Sequence, residues 1–194
     1  MSEPWMQAPL QSFEGAVVVA RRGAVGMVTL RGDLSAPEMA AAVKGAVGLA
    51  MPAQRRIRSG KRGAVAWMSP DELLLFMDHA RAPAAVGKLD KALAGQPHLA
   101  VDVSDARALF TLTGAGSGAG VREVIAKGSP ADMSPDALPV GEFRRSRIGQ
   151  VAAAWWLSDA ETLHLVCFRS VGDYMFDWLC KAAEKDSLPR VLVG

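Results

Sequence analysis

The sequence has 194 residues, of which 50% are hydrophobic and 22% charged, and this balance predicts a folded globular protein. A formal net charge of +2 is too small to indicate a nucleic-acid-binding protein. No apolar run approaches the roughly 20 residues that cross a bilayer, and residues 1–15 lack the basic and apolar regions of a signal peptide. We therefore expect a cytoplasmic protein that binds neither nucleic acid nor membranes.

The first half of the chain predicts a strand, a helix, a hairpin and a second helix. Alternating apolar residues indicate the strands, and Ser35 and Pro37 are typical of a helix start. The hairpin turns at Ser69-Pro70-Asp71, because Pro fixes φ and Asp can bond to nearby backbone. The predicted ranges are a strand at 24–30, a helix that begins near residue 35, hairpin strands at 64–68 and 72–77, and a helix at 84–93.

The second half predicts the same order of elements after one further strand. Its hairpin turns at Ser158-Asp159-Ala160 and is preceded by a connection rich in proline. The predicted ranges are strands at 99–103 and 107–113, a helix at 118–126, hairpin strands at 148–157 and 162–168, and a helix at 172–183.

These two halves predict an internal duplication. Leu30 and Leu112, at equivalent strand ends, lie 82 residues apart, whereas Trp67 and Trp156 in the two hairpins lie 89 apart. One loop insertion of seven residues accounts for the difference. The prediction is an α+β fold of two pseudo-repeated units, each a mostly antiparallel sheet with helices on one face. We expect the first unit at 1–97, with an N-terminal extension, and the second at 98–194, packed closely as one body.

The residues that could carry chemistry lack a catalytic or metal-binding spacing. The histidines form no H-x-x-x-H pattern, the carboxylate pairs lie at turns where Asp often bonds to backbone, and the cysteines are typical of core thiols. We therefore predict no catalytic, cofactor-binding or metal residue in this chain. The residues considered are His79, His98 and His164, the pairs Asp71/Glu72 and Asp102/Asp105, and Cys167 and Cys180.

The glycine-rich run from Gly114 to Gly120 follows a strand and opens a helix, as dinucleotide-binding loops do. The surrounding hairpins break the strand-helix-strand alternation of a nucleotide-binding fold, which favours a plain turn. A nucleotide-binding regulator that uses this run stays as one alternative.

Two features indicate a surface that binds another protein. Trp155 and Trp156 are adjacent on a predicted strand, so they face opposite sides, and we expect one of them to point outward as an interface anchor. A basic loop is the second feature and offers an anion or an acidic partner five cations, although a solvated loop is also compatible with it. Its residues are Arg55, Arg56, Arg58, Lys61 and Arg62.

The runs DARALFTLTG, SGAGVREVIAKG, RRSRIGQVAAAWW and LHLVCFRSVGDYMFDWL, with GAVAWMSPDELLLF in the first half, resemble the gamma subunit of bacterial heterotetrameric sarcosine oxidase. That subunit is similar to the folate-binding domains of the aminomethyltransferases of glycine cleavage. The resemblance implies a structural subunit, without catalytic residues, of an enzyme that oxidises sarcosine to glycine. It implies alpha, beta and delta subunits as partners, and FAD, FMN, NAD and tetrahydrofolate in the whole complex but none bound by this chain alone.

The sequence departs from the aminomethyltransferases at the residues that serve folate chemistry. In that family the strand matching residues 63–68 ends in acidic residues, whereas here it ends in Ala66-Trp67-Met68. The Lys-Gly-Cys motif of related iron-sulfur-repair proteins is also absent, because Ser129 follows Lys127-Gly128. The resemblance therefore does not carry folate chemistry to this chain. A free-standing folate-binding protein like the aminomethyltransferases is the alternative function.

Overall fold

The computed structural model describes residues 4–192 except 115, 117 and 118, so Ala115, Ser117 and Gly118 of the glycine-rich run lie outside the described residues. The described residues form eleven strands and four α-helices. In chain order these are β1 (Pro9–Glu14), β2 (Val18–Arg22), β3 (Val25–Gly32), α1 (Pro37–Val47), β4 (Ile57–Gly60), β5 (Gly63–Ser69), β6 (Glu72–Asp78), α2 (Ala82–Ala92), β7 (His98–Asp102), β8 (Arg107–Thr113), α3 (Ala119–Ala126), β9 (Phe143–Ile148), β10 (Val151–Leu157), β11 (Thr162–Phe168) and α4 (Gly172–Ala182).

The strands form two antiparallel sheets. One sheet has the order β4-β5-β6-β3-β7, and the other has the order β1-β2-β8-β11-β10-β9. The four strands β4-β5-β6-β3 and their helices α1 and α2 follow the same chain order and sheet order as β9-β10-β11-β8 with α3 and α4. The predicted α+β fold of two pseudo-repeated units is therefore confirmed.

The extra residues of the second half lie in one connection. Residues 48–56 join α1 to β4, whereas residues 127–142 join α3 to β9 and are seven residues longer. Buried Arg122 holds the longer connection, because its Nη1 lies 3.0 Å from Met133 O and 2.9 Å from Leu138 O.

Each half of the chain supplies the other half's sheet with a strand. β2 precedes β3 along the chain but pairs with β8, and β7 precedes β8 but pairs with β3. One compact unit therefore comprises Ala24–Asp105 with the segment that ends at Gln7, and the other comprises Ala8–Gly23 with the segment that begins at Ala106. The units are interleaved in sequence, which differs from the boundary between residues 97 and 98 that we expected.

In each unit the helices pack on one face of the sheet. The core of the first unit is formed by residues such as Leu30, Val43, Leu75 and Leu89, and that of the second by residues such as Phe110, Val124, Trp155 and Leu179. All eight side chains are 0% exposed. The 3.6-residue period of the helices and the two-residue period of the strands place these side chains on one side.

The opposite face of each sheet also carries buried side chains. Phe76 and Leu74 of the first sheet and Trp156 and Val166 of the second are at most 1% exposed. In the first unit Trp5 packs on Phe76, with 5.6 Å between the ring centroids. Strands with both faces buried read as continuous apolar runs rather than alternating ones, as LLLFM at residues 73–77 does.

We predict that the exchanged strands make the two halves dependent on each other. Fragments 1–97 and 98–194, produced separately, should each unfold without a cooperative transition, since each lacks a strand of its sheet. Mixing the fragments should restore one cooperative transition, measured by circular dichroism on heating. If fragment 98–194 alone unfolds cooperatively at the temperature of the intact chain, β1 and β2 contribute nothing and the prediction is wrong.

Candidate partner interface

The five cations of the basic loop lie on a hairpin at the edge of the first sheet, not in a plain loop. We call residues 55–62 the basic hairpin. Its strand β4 pairs with β5 from Ile57↔Ala66 to Gly60↔Gly63, which leaves Lys61 and Arg62 as the turn. Arg55, Arg56, Arg58, Lys61 and Arg62 are all exposed. The sequence missed β4 because its residues are polar and do not alternate with apolar ones.

The chain brings one more cation to this hairpin. Arg81 Nη1 donates a hydrogen bond to Arg62 O, over 2.8 Å, and therefore holds a sixth cation beside the turn. Residues 51–70 contain no Asp or Glu. The hairpin is therefore a region of one sign of charge in a chain whose net charge is small.

Neither Trp155 nor Trp156 points outward, so the prediction of an exposed tryptophan is wrong. Both side chains are 0% exposed. Trp155 belongs to the helix-side core, whereas Trp156 on the opposite face stacks on His164 with centroids 4.9 Å apart and lies 5.6 Å from Phe143. Adjacent strand residues do face opposite sides, but this sheet buries both.

The face of each tryptophan also corrects the pairing of the repeats. Trp67 packs against the helix-side core of the first unit, as Trp155 does in the second. Trp156, which the sequence match aligns with Trp67, lies on the other face. The strand register identifies the equivalent residue. Trp67 lies opposite Leu73, which pairs with Leu30. In the second unit Leu157 lies opposite Leu163, which pairs with Leu112, so Leu157 and not Trp156 is equivalent to Trp67. A shift of one residue along a strand reverses its faces, which is why Trp156 lies on the other face.

His164 is a buried base that lies beside Trp156. Its Nε2 lies 3.0 Å from Ser158 Oγ, and its buried Nδ1 has no hydrogen-bond partner among the described residues. Burial, with a smaller contribution from the charge of Arg22, lowers the pKa of His164 to about 3, although Asp159 opposes the shift. The imidazole therefore stays neutral in the folded protein at neutral pH and packs as part of the core.

This neutral histidine predicts a loss of stability in mild acid. Below about pH 6.5 the unfolded chain binds a proton that the folded chain cannot bind until about pH 3. The contribution of His164 to the free energy of unfolding has its full value above about pH 6.5. It falls by about 1.4 kcal/mol for each pH unit below that.

The variant His164→Gln should reduce this slope between pH 6.5 and 5, where few carboxyl groups titrate, whatever it does to stability at pH 7. Urea unfolding at three pH values in this window measures the slope. Equal slopes for the variant and the original chain would contradict the prediction.

The two thiols are unsuited to nucleophilic chemistry. Burial raises the pKa of Cys167 to about 11, although the charges of Arg21 and Arg107 oppose the shift. Burial and the nearby Asp177 carboxylate also raise the pKa of Cys180. Both cysteines are free and are protonated at neutral pH, as thiols packed in a core should be.

Two of the carboxylates considered from the sequence, Glu72 and Asp102, bind other groups of the chain. Glu72 is 4% exposed, and its Oε2 lies 2.9 Å from Arg31 Nη2. Asp102 accepts a hydrogen bond from Ser104 N over 3.0 Å. Among the described residues no group of three His, Cys, Asp or Glu side chains is placed to hold a metal ion.

Sequence reasoning missed the buried charges Arg122 and Glu123. Glu123 is 1% exposed and accepts hydrogen bonds from the backbone N–H groups of Arg190 and Leu192, so it fixes the C-terminal segment. The available signal was an Arg-Glu pair inside the apolar run of α3. Each of these side chains has a structural partner in the chain.

The glycine-rich run uses its described amides inside the chain. Gly116 N lies 3.2 Å from Glu161 Oε2, and Gly114 N donates to Glu161 O over 2.8 Å. A phosphate bound by such a loop would need these N–H groups and would meet the carboxylate of Glu161. The geometry of the described residues therefore does not favour the nucleotide-binding alternative.

A groove of about 460 Å³ lies near the N-terminus of α1, lined by Asp33, Met39, Leu93 and Pro97 among other residues. The Asp33 carboxylate accepts hydrogen bonds from Ser35 N over 2.9 Å and from Ser35 Oγ over 2.6 Å, and these hydrogen bonds lower its pKa. Glu38 also lines the groove, but Asp33 is committed to a turn and no histidine, cysteine or lysine is among the lining residues, so the groove does not favour acid-base chemistry.

The model of the sarcosine oxidase gamma subunit family matches residues 31–185. The chain belongs to this family. A sarcosine oxidase subunit gamma from Arthrobacter sp. is 26% identical over 194 residues, which cover 98% of this chain and 92% of that protein. No helix among the described residues is long and apolar enough to cross a membrane.

Two solved structures share the fold. A chain of the heterotetrameric sarcosine oxidase from Corynebacterium sp. U-96 matches with a TM-score of 0.74 and 24% identity, over 89% of this chain and 87% of that one. The glycine cleavage aminomethyltransferase T from Bartonella henselae matches with a TM-score of 0.61 and 14% identity, over 86% of this chain and 46% of that one. The expected similarity to folate-binding domains is therefore confirmed at the level of the fold.

Proposed function

We propose that this chain is the gamma subunit of a heterotetrameric sarcosine oxidase and works there as a structural subunit. Membership of the gamma subunit family, over residues 31–185, is the observation that supports this function. The complex would oxidise sarcosine to glycine and pass the one-carbon unit to tetrahydrofolate. Its alpha, beta and delta subunits would be the partners of this chain.

The chemistry of the complex would belong to the other subunits. The thiols of this chain are protonated, its neutral histidine is buried, and Glu72 and Glu123 are engaged by Arg31 and by backbone amides. We therefore assign FAD, FMN, NAD and tetrahydrofolate to the partners. The contribution of this chain is then the binding of those partners through its surface.

The basic hairpin is the surface that we assign to a partner. It carries five exposed cations without a carboxylate in residues 51–70, whereas the two tryptophans are buried and are no longer candidates. Clustered charge of one sign attracts a partner of opposite sign and raises the rate of encounter.

We predict that the isolated chain is colourless, does not oxidise sarcosine and does not bind tetrahydrofolate. Absorption spectra, oxygen uptake with sarcosine and isothermal titration with tetrahydrofolate measure the three properties. The same chain, tagged and purified from its own cells, should bring flavin-containing subunits with it. Saturable tetrahydrofolate binding without such partners would instead support a free-standing folate-binding protein.

A second prediction concerns the kinetics of assembly. Replacing Arg55, Arg56 and Arg58 together by Gln should slow association with the partner subunits several-fold at low salt and flatten its salt dependence. Surface plasmon resonance at several ionic strengths measures both effects.

The control replaces Lys44, Lys88 and Lys91 by Gln. These exposed lysines belong to the helices of the same unit, so the change in net charge is equal. The control should associate nearly as the original chain does. Equal slowing in the two triple variants would show that total charge, and not the basic hairpin, governs association.

A further inference from the structure

The outer side of β4 presents backbone groups that β5 does not use. β4 is the terminal strand of its sheet in the described part of the chain. Trp67 N donates to Arg56 O over 3.0 Å, and the register places Ile57 opposite Ala66. Hydrogen-bonded and non-hydrogen-bonded pairs alternate along an antiparallel ladder, so Ile57 and Ser59 direct their N–H and C=O groups away from β5. Such an edge is a template for another strand.

At the equivalent edge of the second unit, groups of the same chain contact a basic side chain. Its strand β9 also carries arginines, and Arg144 Nη2 lies 2.6 Å from both Glu142 Oε1 and Ala137 O. Gly141 N donates to Leu157 O over 2.9 Å. The connection 127–142 therefore supplies a carboxylate and carbonyl groups to the basic edge from within the chain.

The first unit has no carboxylate in the equivalent connection. Its equivalent connection, residues 48–56, is seven residues shorter and contains no Asp or Glu. The basic edge strand is thus present in both units, but the carboxylate-bearing connection that balances it is present in the second unit alone. An acidic segment from another chain would supply what the shorter connection omits.

We propose that β4 docks an extended, Asp- and Glu-rich segment of another oxidase subunit, which pairs with the outward backbone groups of Ile57 and Ser59 as an added strand. The proposal rests on the proposed function, because it requires the partner subunits. Backbone pairing would provide affinity, and the surrounding cations would select an acidic sequence.

The backbone part is tested with Ser59→Pro in the chain co-expressed with its partner subunits. Proline removes the outward N–H of Ser59 and leaves the ladder to β5, because proline is tolerated on the solvent side of edge strands. The matched control Ser59→Ala keeps the N–H and removes the hydroxyl. We expect Ser59→Pro to weaken binding to the partners at least tenfold and Ser59→Ala to bind like the original chain.

The charge part is tested with Arg58→Glu against Arg147→Glu. Both arginines are exposed on edge strands, and the two variants change the net charge equally. We expect a loss of binding of about tenfold or more for Arg58→Glu, and less than threefold for Arg147→Glu. Equal losses in the two variants would overturn the assignment of an acidic segment to β4.

Hydrogen exchange covers the case in which Ser59→Pro does not fold. In the original chain the amides of Ile57 and Ser59 should exchange quickly when free and at least tenfold more slowly in the complex. A complex that leaves both amides unprotected, or a folded Ser59→Pro that binds normally, would refute strand addition. A chain that binds no oxidase subunit in any form would instead refute the proposed function itself.

Discussion

The exchange of strands between the two halves constrains the whole structure. β7 completes the sheet that begins with β3, while β2 completes the sheet that contains β8. Buried backbone groups of a strand are satisfied mainly by a neighbouring strand, and each half of the sequence obtains one such neighbour for its sheet from the other half. The chain must therefore fold with long-range pairings in both directions, and the duplicated halves cannot separate as independent domains. This is why a sequence boundary between equivalent elements does not coincide with a boundary between compact units.

Local sequence signals predicted two of the hairpins and the helices. The hairpins β5-β6 and β10-β11 follow from apolar runs around turn residues, and the helices follow from their period. Strands β1, β2, β4 and β9 were not predicted. Three of them, β1, β4 and β9, are edge strands, which keep polar residues on their exposed sides and lose the alternating pattern. The partner of β7 was not predicted either, since nothing local in His98–Asp102 specifies β3 rather than β8. Pairing between distant strands is a property of the whole chain.

Of the two predicted interface features, the basic hairpin is exposed as expected, whereas neither tryptophan is. Exposure of the basic hairpin was expected from its composition, because five cations without a carboxylate are costly to bury. Burial of Trp156 was not, because the adjacent tryptophans were interpreted as lying on a sheet with one solvated face. Phe143 and His164 show that this face is apolar and packed as well. A strand sequence alone does not tell whether its second face meets solvent.

The two units keep equivalent core positions and differ in their surface connections. The equivalent helix-side positions Trp67 and Leu157 both pack on the core, while the connections before β4 and β9 differ by seven residues. Core positions are constrained by packing density, whereas a surface connection can lengthen at little entropic cost. The longer connection brings Glu142 to Arg144, and the shorter one leaves the basic hairpin facing outward. Divergence at a connection can therefore change what an edge strand is free to bind, and in this fold the surface that distinguishes the two units is the surface that we propose for a partner.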